Sequence, residues 1–313
     1  MSDDTPWKEI QVTDGDARLD AWLPGQISQL SRRGAQAFVA EGHVRVNGRV
    51  ARKNCRLLSG DMVSIAVEPV FGNWRPQPNP ALPLDVVLED NAFLVVNKPG
   101  GRPSTANSHG DSHTLANAIV TRYPECAAIG ARNGDAGLLH RLDNDTSGLL
   151  IVARNVQAYR SLKIMQESNQ VEKRYQALVS GVPDFQPPCT ISVPLTAKGK
   201  GSNRMAVASR GGQRAVTHVE EITRIKELFL VKLLIYKGVR HQIRMHLAQR
   251  GLPICGDVLY GGLSISGLDR LFLHAFGLRF FHPVTGVPVE VHCPLPNDLQ
   301  KVIGRHVEDK STA

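Results

Sequence analysis

The chain has 313 residues, 42% of them hydrophobic, enough to bury a substantial core and to form one large domain with a small companion. Lysine and arginine number 37 against 29 aspartates and glutamates, and the resulting charge of +8 suits either a polyanionic partner or simple solubility. The five cysteines (Cys55, Cys126, Cys189, Cys255 and Cys293) form no C-x-x-C pair and argue against a disulfide framework or a zinc site. With an acidic, polar start (MSDDTPWKEI) and no apolar run near the ~20 residues of a membrane span, the expectation is a soluble, cytoplasmic protein.

From the N-terminus, a short helix is expected around Leu19 to Leu23. Ser31 is the expected N-cap of a second helix through Ala35, Phe38 and Val39, with Gly42 placed for a left-handed C-terminal cap. HVRVNGRVA reads as two short strands turning at Asn47-Gly48, the pair that most readily takes positive φ, and Asp61 to Val67 as a closing strand. Between Arg32 and Arg56 stand seven basic residues (Arg32, Arg33, Arg45, Arg49, Arg52, Lys53 and Arg56) and one acidic residue, Glu41. Such a patch either contacts phosphates or is a solvated charged face. The stretch Pro69 to Pro83 holds five prolines, which deny helix and central strand and mark an extended connector. The expected boundaries are therefore 1–68 for a small domain, 69–83 for a linker and 84–313 for a large domain.

After the connector, LDVVLED and FLVVNKP read as strands, HTLANAIVTRY as an amphipathic helix, GLLIVAR as a short apolar strand, NVQAYRSLKIMQESN as a helix and EKRYQALVSG as a strand. RAVTHVEEI and ELFLVKLLIY add further strands, and a helix is expected near His241 to Gln249. Strands in runs with few helices between them give an α+β class with a mixed, largely antiparallel sheet. The chain has no G-x-G-x-x-G, no phosphate loop and no internal repeat, which disfavours a dinucleotide fold. Lys198 to Arg214 carries five basic residues (Lys198, Lys200, Arg204, Arg210 and Arg214) and no acidic one, a composition that suits a hairpin closing on RNA or a solvated loop.

The densest polar constellation is HRLDNDTSG, from His140 to Gly148, set between apolar flanks. Its carboxylates Asp143 and Asp145 share a face if the segment is extended and diverge if it turns. Local chemistry leaves two readings open, a structural turn and an active site; a glycosidase would also use two carboxylates.

RLDAWL, SRRGAQAFVAEGHVRVNGRV and SGDMV together resemble, over about fifty residues, the helix-helix-hairpin RNA-binding module first known from a small-subunit ribosomal protein. HRLDNDTSGLLIVAR resembles the signature of the Rlu-type pseudouridine synthases, and NKPGG, EKRYQALVSG, RHQIRMHLAQRGLPICGDVLYG and FLHAFGLRFFHPVTG follow in that family's order. The resemblance implies an enzyme that isomerises uridine to pseudouridine in RNA without cofactor or metal. It places the family's invariant aspartate on Asp143, as nucleophile or base, its active-site tyrosine on Tyr175 and the arginine partner on Arg244. Tyr175 would replace the stacking lost by a flipped-out uridine. Arg141, His140, Arg240 and the basic Arg32, Arg33 and Arg45 are the expected RNA-binding residues. The chain departs from the family at Gly238-Val239-Arg240, where most members carry arginine in place of Val239, which bears on the target more than on the reaction. The implied substrate is large-subunit ribosomal RNA, with transfer RNA, or a non-catalytic role in RNA binding and ribosome assembly, as alternatives. A monomer is expected.

Overall fold

The computed structural model describes residues 7–27, 32–52, 54–66, 75–106, 111–132, 134–199 and 203–307. They form two compact units, one of residues up to Arg75 with Ala106, Asp111 and Ser112, the other of Pro76–Thr105 and the residues from His113 onward.

The first unit contains β1 (Trp7–Gln11), β2 (Ala17–Arg18), α1 (Leu19–Gln26), α2 (Arg32–Ala40), β3 (Val44–Val46), β4 (Arg49–Val50), β5 (Arg56–Leu57) and β6 (Met62–Ala66). An antiparallel sheet runs β1-β6-β3-β4, and β2 pairs with β5. The hairpin turns where the Asn-Gly pair demands it: Asn47 and Gly48 take φ of 49° and 76°. Asn47 also ties the turn down, accepting from the Met62 amide at 2.9 Å and donating to Asp61 at 2.9 Å. Gly42 ends α2 at φ 83°, and the next amide, His43, reaches back to the Phe38 carbonyl at 3.2 Å. Leu19, Leu23, Phe38, Leu57 and Val63 fill the core. Ser31, Lys53 and Val67 lie outside the described residues, as do the side chains of Arg32 and Arg33.

The second unit contains β7 (Asp85–Glu89), β8 (Phe93–Lys98), α3 (Leu115–Arg122), β9 (Ser147–Ala153), α4 (Val156–Glu167), β10 (Glu172–Val179), β11 (Cys189–Ser192), β12 (Leu195–Ala197), β13 (Met205–Val207), β14 (Val216–Ile225), β15 (Leu228–Ile235), α5 (Gln242–Gln249), β16 (Leu273–Phe281), β17 (Pro288–His292) and α6 (Asn297–Val307). Its main sheet is ordered β11-β14-β15-β10-β16-β9-β8-β7, with β17 against the far end of β16. The β9–β16 pair is parallel and the other pairs are antiparallel, so the sheet is mixed and largely antiparallel.

β9 is buried at every position, which explains why it reads as a continuous apolar run rather than an alternation. Leu150 and Val152 enter the core shared with α3 and α5, whereas Leu149 and Ile151 enter the one beneath α4. Gly148, at φ 119°, lies so close to β16 that an added Cβ would sit 2.2 Å from the Ala275 carbonyl oxygen. The proline-rich stretch is described from Arg75 onward, and there it is pinned to α3: Asn117 donates to the Gln77 carbonyl at 2.7 Å and Thr121 accepts from the Asn79 amide at 2.8 Å. Among the described residues no helix is long and apolar enough to cross a membrane.

Candidate active site

The polar constellation turns immediately before β9. The Thr146 amide donates to the Asp143 carbonyl at 3.1 Å, closing a tight turn over Asn144 and Asp145. The two carboxylates therefore diverge. Asp145 accepts from the Asn144 side chain, while Asp143 meets Arg244 from 101 positions along the chain. Two cations, Lys98 buried and Arg270 half-buried, hold this turn by its backbone: Lys98 donates to the carbonyls of Pro99, Arg102 and Asn144 at 2.7–2.8 Å, and Arg270 donates to that of Asp145 at 2.9 Å. Burial and the nearby Arg270 push Lys98 down to about 7, against the pull of Asp145 and Asp143.

α5 carries Arg244 into place. Ile243 and Leu247 bury one face of this helix in the core, while Gln242 and His246 bond across to Thr217 on β14 at 3.1 and 2.8 Å. Arg244, 9% exposed, donates through Nε and Nη2 to both oxygens of Asp257 at 2.6 and 2.8 Å, and through Nη1 to Asp143 Oδ2 at 3.1 Å. Burial works against its charge, but the bonds and charges of Asp257 and Asp143 overcome this and hold the guanidinium protonated. The planar fork is thus fixed by one buried carboxylate and turned toward a second. Among the described residues Asp143 Oδ1 has no hydrogen-bond partner, so one carboxylate oxygen is held and the other is open.

Tyr175 lies on β10 opposite Ala275 of β16, the residue that also pairs with Gly148. It is 5% exposed, and burial together with the charge of Asp143 raises its phenol above the ordinary tyrosine range. His140 is half-buried, with Nε2 enclosed and without a partner among the described residues; burial, then Lys173 and Lys163, keep it neutral. Arg141 is exposed beside the turn. Arg240 is exposed and bonds the carbonyl of Asn203 on the basic segment, where β12 and β13 form a hairpin. Val239 packs beneath this hairpin with Leu195, Met205 and Ala215, so the apolar residue at the family's arginine position joins a small core. Lys200 lies outside the described residues. In the first unit, Arg45 lies over the Trp7 ring at 4.4 Å.

Residues 92–249 match the family model for RNA pseudouridylate synthase, and residues 18–63 match the S4 domain. An uncharacterized RNA pseudouridine synthase of Bacillus subtilis is 35% identical over 91% of this chain and 93% of its own length. Ribosomal large subunit pseudouridine synthase D of Xanthomonas campestris is 33% identical over 99% of this chain and 96% of its own. The chain belongs to the RNA pseudouridine synthase family. It is an isomerase that converts uridine in RNA to pseudouridine. Two human structures share the fold of the synthase: RNA pseudouridylate synthase domain containing 4 (TM-score 0.56, 24% identity, 71% of this chain and 92% of that one) and domain containing 1 (TM-score 0.52, 29% identity, 70% and 86%).

Three residues around the Asp143–Arg244 pair of this synthase are not legible in its sequence: Asp257, Tyr260 and His241. Tyr260 accepts from the Met205 amide at 2.7 Å and bonds His241 Nδ1 at 2.9 Å, and its ring lies under the Arg244 guanidinium at 5.1 Å. His241 Nε2 faces Asp143 Oδ2 at 3.9 Å. All three stand within RHQIRMHLAQRGLPICGDVLYG, where the available signal was the arginine itself: an arginine on a core-facing helix needs a carboxylate partner.

Proposed function

We propose that this synthase modifies uridines of large-subunit ribosomal RNA in the cytoplasm, acting as a monomer with Asp143 as its catalytic carboxylate. The observation that carries the reading is the asymmetric hold on Asp143, with Arg244 on Oδ2 and Oδ1 open. The reaction breaks the bond from ribose C1′ to uracil N1, turns the base within the site and joins C1′ to C5. The hydrogen on C5 leaves as a proton, N1 gains one, and no redox partner is needed. A carboxylate that is oriented but not fully occupied can attack C1′ or remove a ribose proton. The arginine keeps the carboxylate in register without a metal.

Before any of this, the uridine must leave its stack, and the buried ring of Tyr175, whose phenol feels the charge of Asp143, offers it an aromatic surface. Arg141, exposed next to the turn, and Arg240, exposed at the foot of the basic hairpin, supply charge for the surrounding phosphates; His140, neutral, would contact the RNA by hydrogen bonding. The S4 domain with its exposed Arg45, and Arg32 and Arg33 by sequence, would add affinity that depends on salt and little on sequence. The ribosomal substrate is supported by relatives such as those of Xanthomonas campestris and Yersinia pestis, both named ribosomal large subunit pseudouridine synthase D.

The test is pseudouridine mapping, by carbodiimide adduct and primer extension, on total RNA from cells lacking the gene, rescued with the wild type or with Asp143→Asn. Loss of one or a few sites in large-subunit ribosomal RNA, restored by the wild type alone, is the expected result. Loss confined to transfer RNA would overturn the substrate, and rescue by Asp143→Asn would overturn the assignment of Asp143.

A further inference from the structure

His241 occupies a position that local backbone preference does not explain. It immediately precedes α5 with φ 53° and ψ 22°, a left-handed conformation that is unfavourable for a residue with a Cβ, and although its carbonyl accepts from the Met245 amide at 2.9 Å, its side chain makes no capping bond to the helix. The conformation sends the ring toward Asp143. Nε2 lies 3.9 Å from Asp143 Oδ2, the oxygen already bonded by Arg244, and the side chain is 11% exposed. That separation is too long for a hydrogen bond, and among the described residues Nε2 has no other partner.

The hydrogen bonds behind the ring decide which nitrogen carries the proton. The Met205 amide donates to the Tyr260 hydroxyl and occupies one of its lone pairs. The phenol, held protonated chiefly by burial, can then donate its own hydrogen to His241 Nδ1. An imidazole that accepts at Nδ1 carries its hydrogen on Nε2, the nitrogen turned toward Asp143. The charged and titratable groups around the ring are Asp143, Arg244, Arg240, Asp257 and Tyr260. Burial, with Arg244 and Arg240, outweighs the two carboxylates and keeps the ring neutral.

We propose that His241 is a catalytic hydrogen-bond donor of this synthase, presenting Nε2–H to the uracil ring while it is detached from ribose. This rests on the reading of Asp143 as the reacting carboxylate. When the bond from C1′ to N1 breaks with its electron pair on the base, negative charge spreads over N1 and the flanking carbonyl oxygens. Arg244 is committed to two carboxylates, whereas Nε2–H is uncommitted beside Asp143, the carboxylate at which this bond would break. A neutral donor holds the base through its rotation without protonating it, and His241 keeps its own proton throughout. Tyr260 sets the tautomer and is a positioning residue.

The experiment measures single-turnover release of tritium from RNA labelled at uridine C5, prepared from cells lacking the gene, together with RNA affinity and thermal melting. His241→Phe should slow release about 100-fold or more with RNA affinity within twofold, as for loss of one donor to a developing anion. His241→Gln, which restores an N–H at similar reach, should recover most of the rate. Tyr260→Phe should slow release about tenfold: an even division of the proton between the two ring nitrogens accounts for only about twofold, and the rest comes from losing the bond that orients the ring. The wild-type rate should show no step from His241 between pH 8 and 6.5. Wild-type rates in His241→Phe, or in Tyr260→Phe if His241→Phe does not fold, would overturn the proposal. Asp143→Asn run alongside separates the two readings: if it releases tritium at the wild-type rate the site itself is wrong, and if it is inactive while the His241 variants are not, only the role of His241 fails.

Discussion

In the small unit Arg45, Arg49 and Arg52 stand exposed on a hairpin and the chain just after it, whereas in the large unit Arg244 is enclosed between two carboxylates. The same side chain serves opposite ends. An exposed guanidinium keeps its hydrogens for a partner and gives up little to do so, so its contribution to binding falls with salt. A buried one is held by the protein, pays a desolvation penalty met by its carboxylates, and provides direction. Affinity can therefore be distributed over many replaceable residues, while geometry concentrates in a few that cannot be exchanged.

The largest effect expected from this contrast follows loss of the anchor. Asp257→Ala leaves Arg244 buried with half its partners gone, which should destabilise the large unit by about 3–5 kcal/mol and lower its melting temperature by on the order of 10 °C. Turnover should fall with it, and an unchanged melting curve would break the claim that the buried pair is structural. Acid should act on the same unit through His274, which bonds Ser147 at the head of β9. Burial pushes this histidine from 6.5 down to about 4. The unfolded chain then binds the extra proton first, so this contribution is present above pH 6.5 and is lost as pH falls toward 4, amounting to about 3 kcal/mol by the shift. Urea unfolding at pH 7 and at pH 4.5, compared between the wild type and His274→Gln, should show a smaller acid loss in the variant.

Effects on the small unit should be milder and of another kind. Replacing Arg45, Arg49 and Arg52 together by alanine should weaken RNA binding on the order of tenfold at low salt and flatten the plot of log affinity against log salt by ~0.7–0.9 for each phosphate no longer neutralised. The single-turnover rate at saturating RNA should stay at the wild-type value; a drop there would mean that these arginines also serve the chemistry. The smallest change is expected for Tyr175→Phe, which keeps the ring and removes the hydroxyl: a rate within about threefold of wild type would leave stacking as its role, and a larger loss would bring the hydroxyl into proton transfer.

What the sequence made legible follows the range of the interactions. The Asn47-Gly48 hairpin, the fully buried β9 and the turn at Asn144-Asp145 are set by neighbouring residues, and local chemistry points to each. The pairing of Asp143 with Arg244 spans 101 positions and came from family resemblance rather than from the residues. Asp257 and Tyr260 were out of reach because their meaning lies in what they touch: a carboxylate in a glycine-rich turn looks like a turn residue until an arginine 13 positions earlier is seen to need it. Helix α6 and strand β17 went unread for a different reason. Both lie beyond FLHAFGLRFFHPVTG, the last stretch that resembles the family.

The most direct test of this division of labour is to measure RNA affinity and single-turnover conversion on the same preparation of Asp143→Asn. The variant should bind RNA within about twofold of the wild type, with the same salt dependence, and convert uridine at least ~1,000-fold more slowly. Conversion near the wild-type rate, or a loss of binding large enough to explain the loss of conversion, would contradict it.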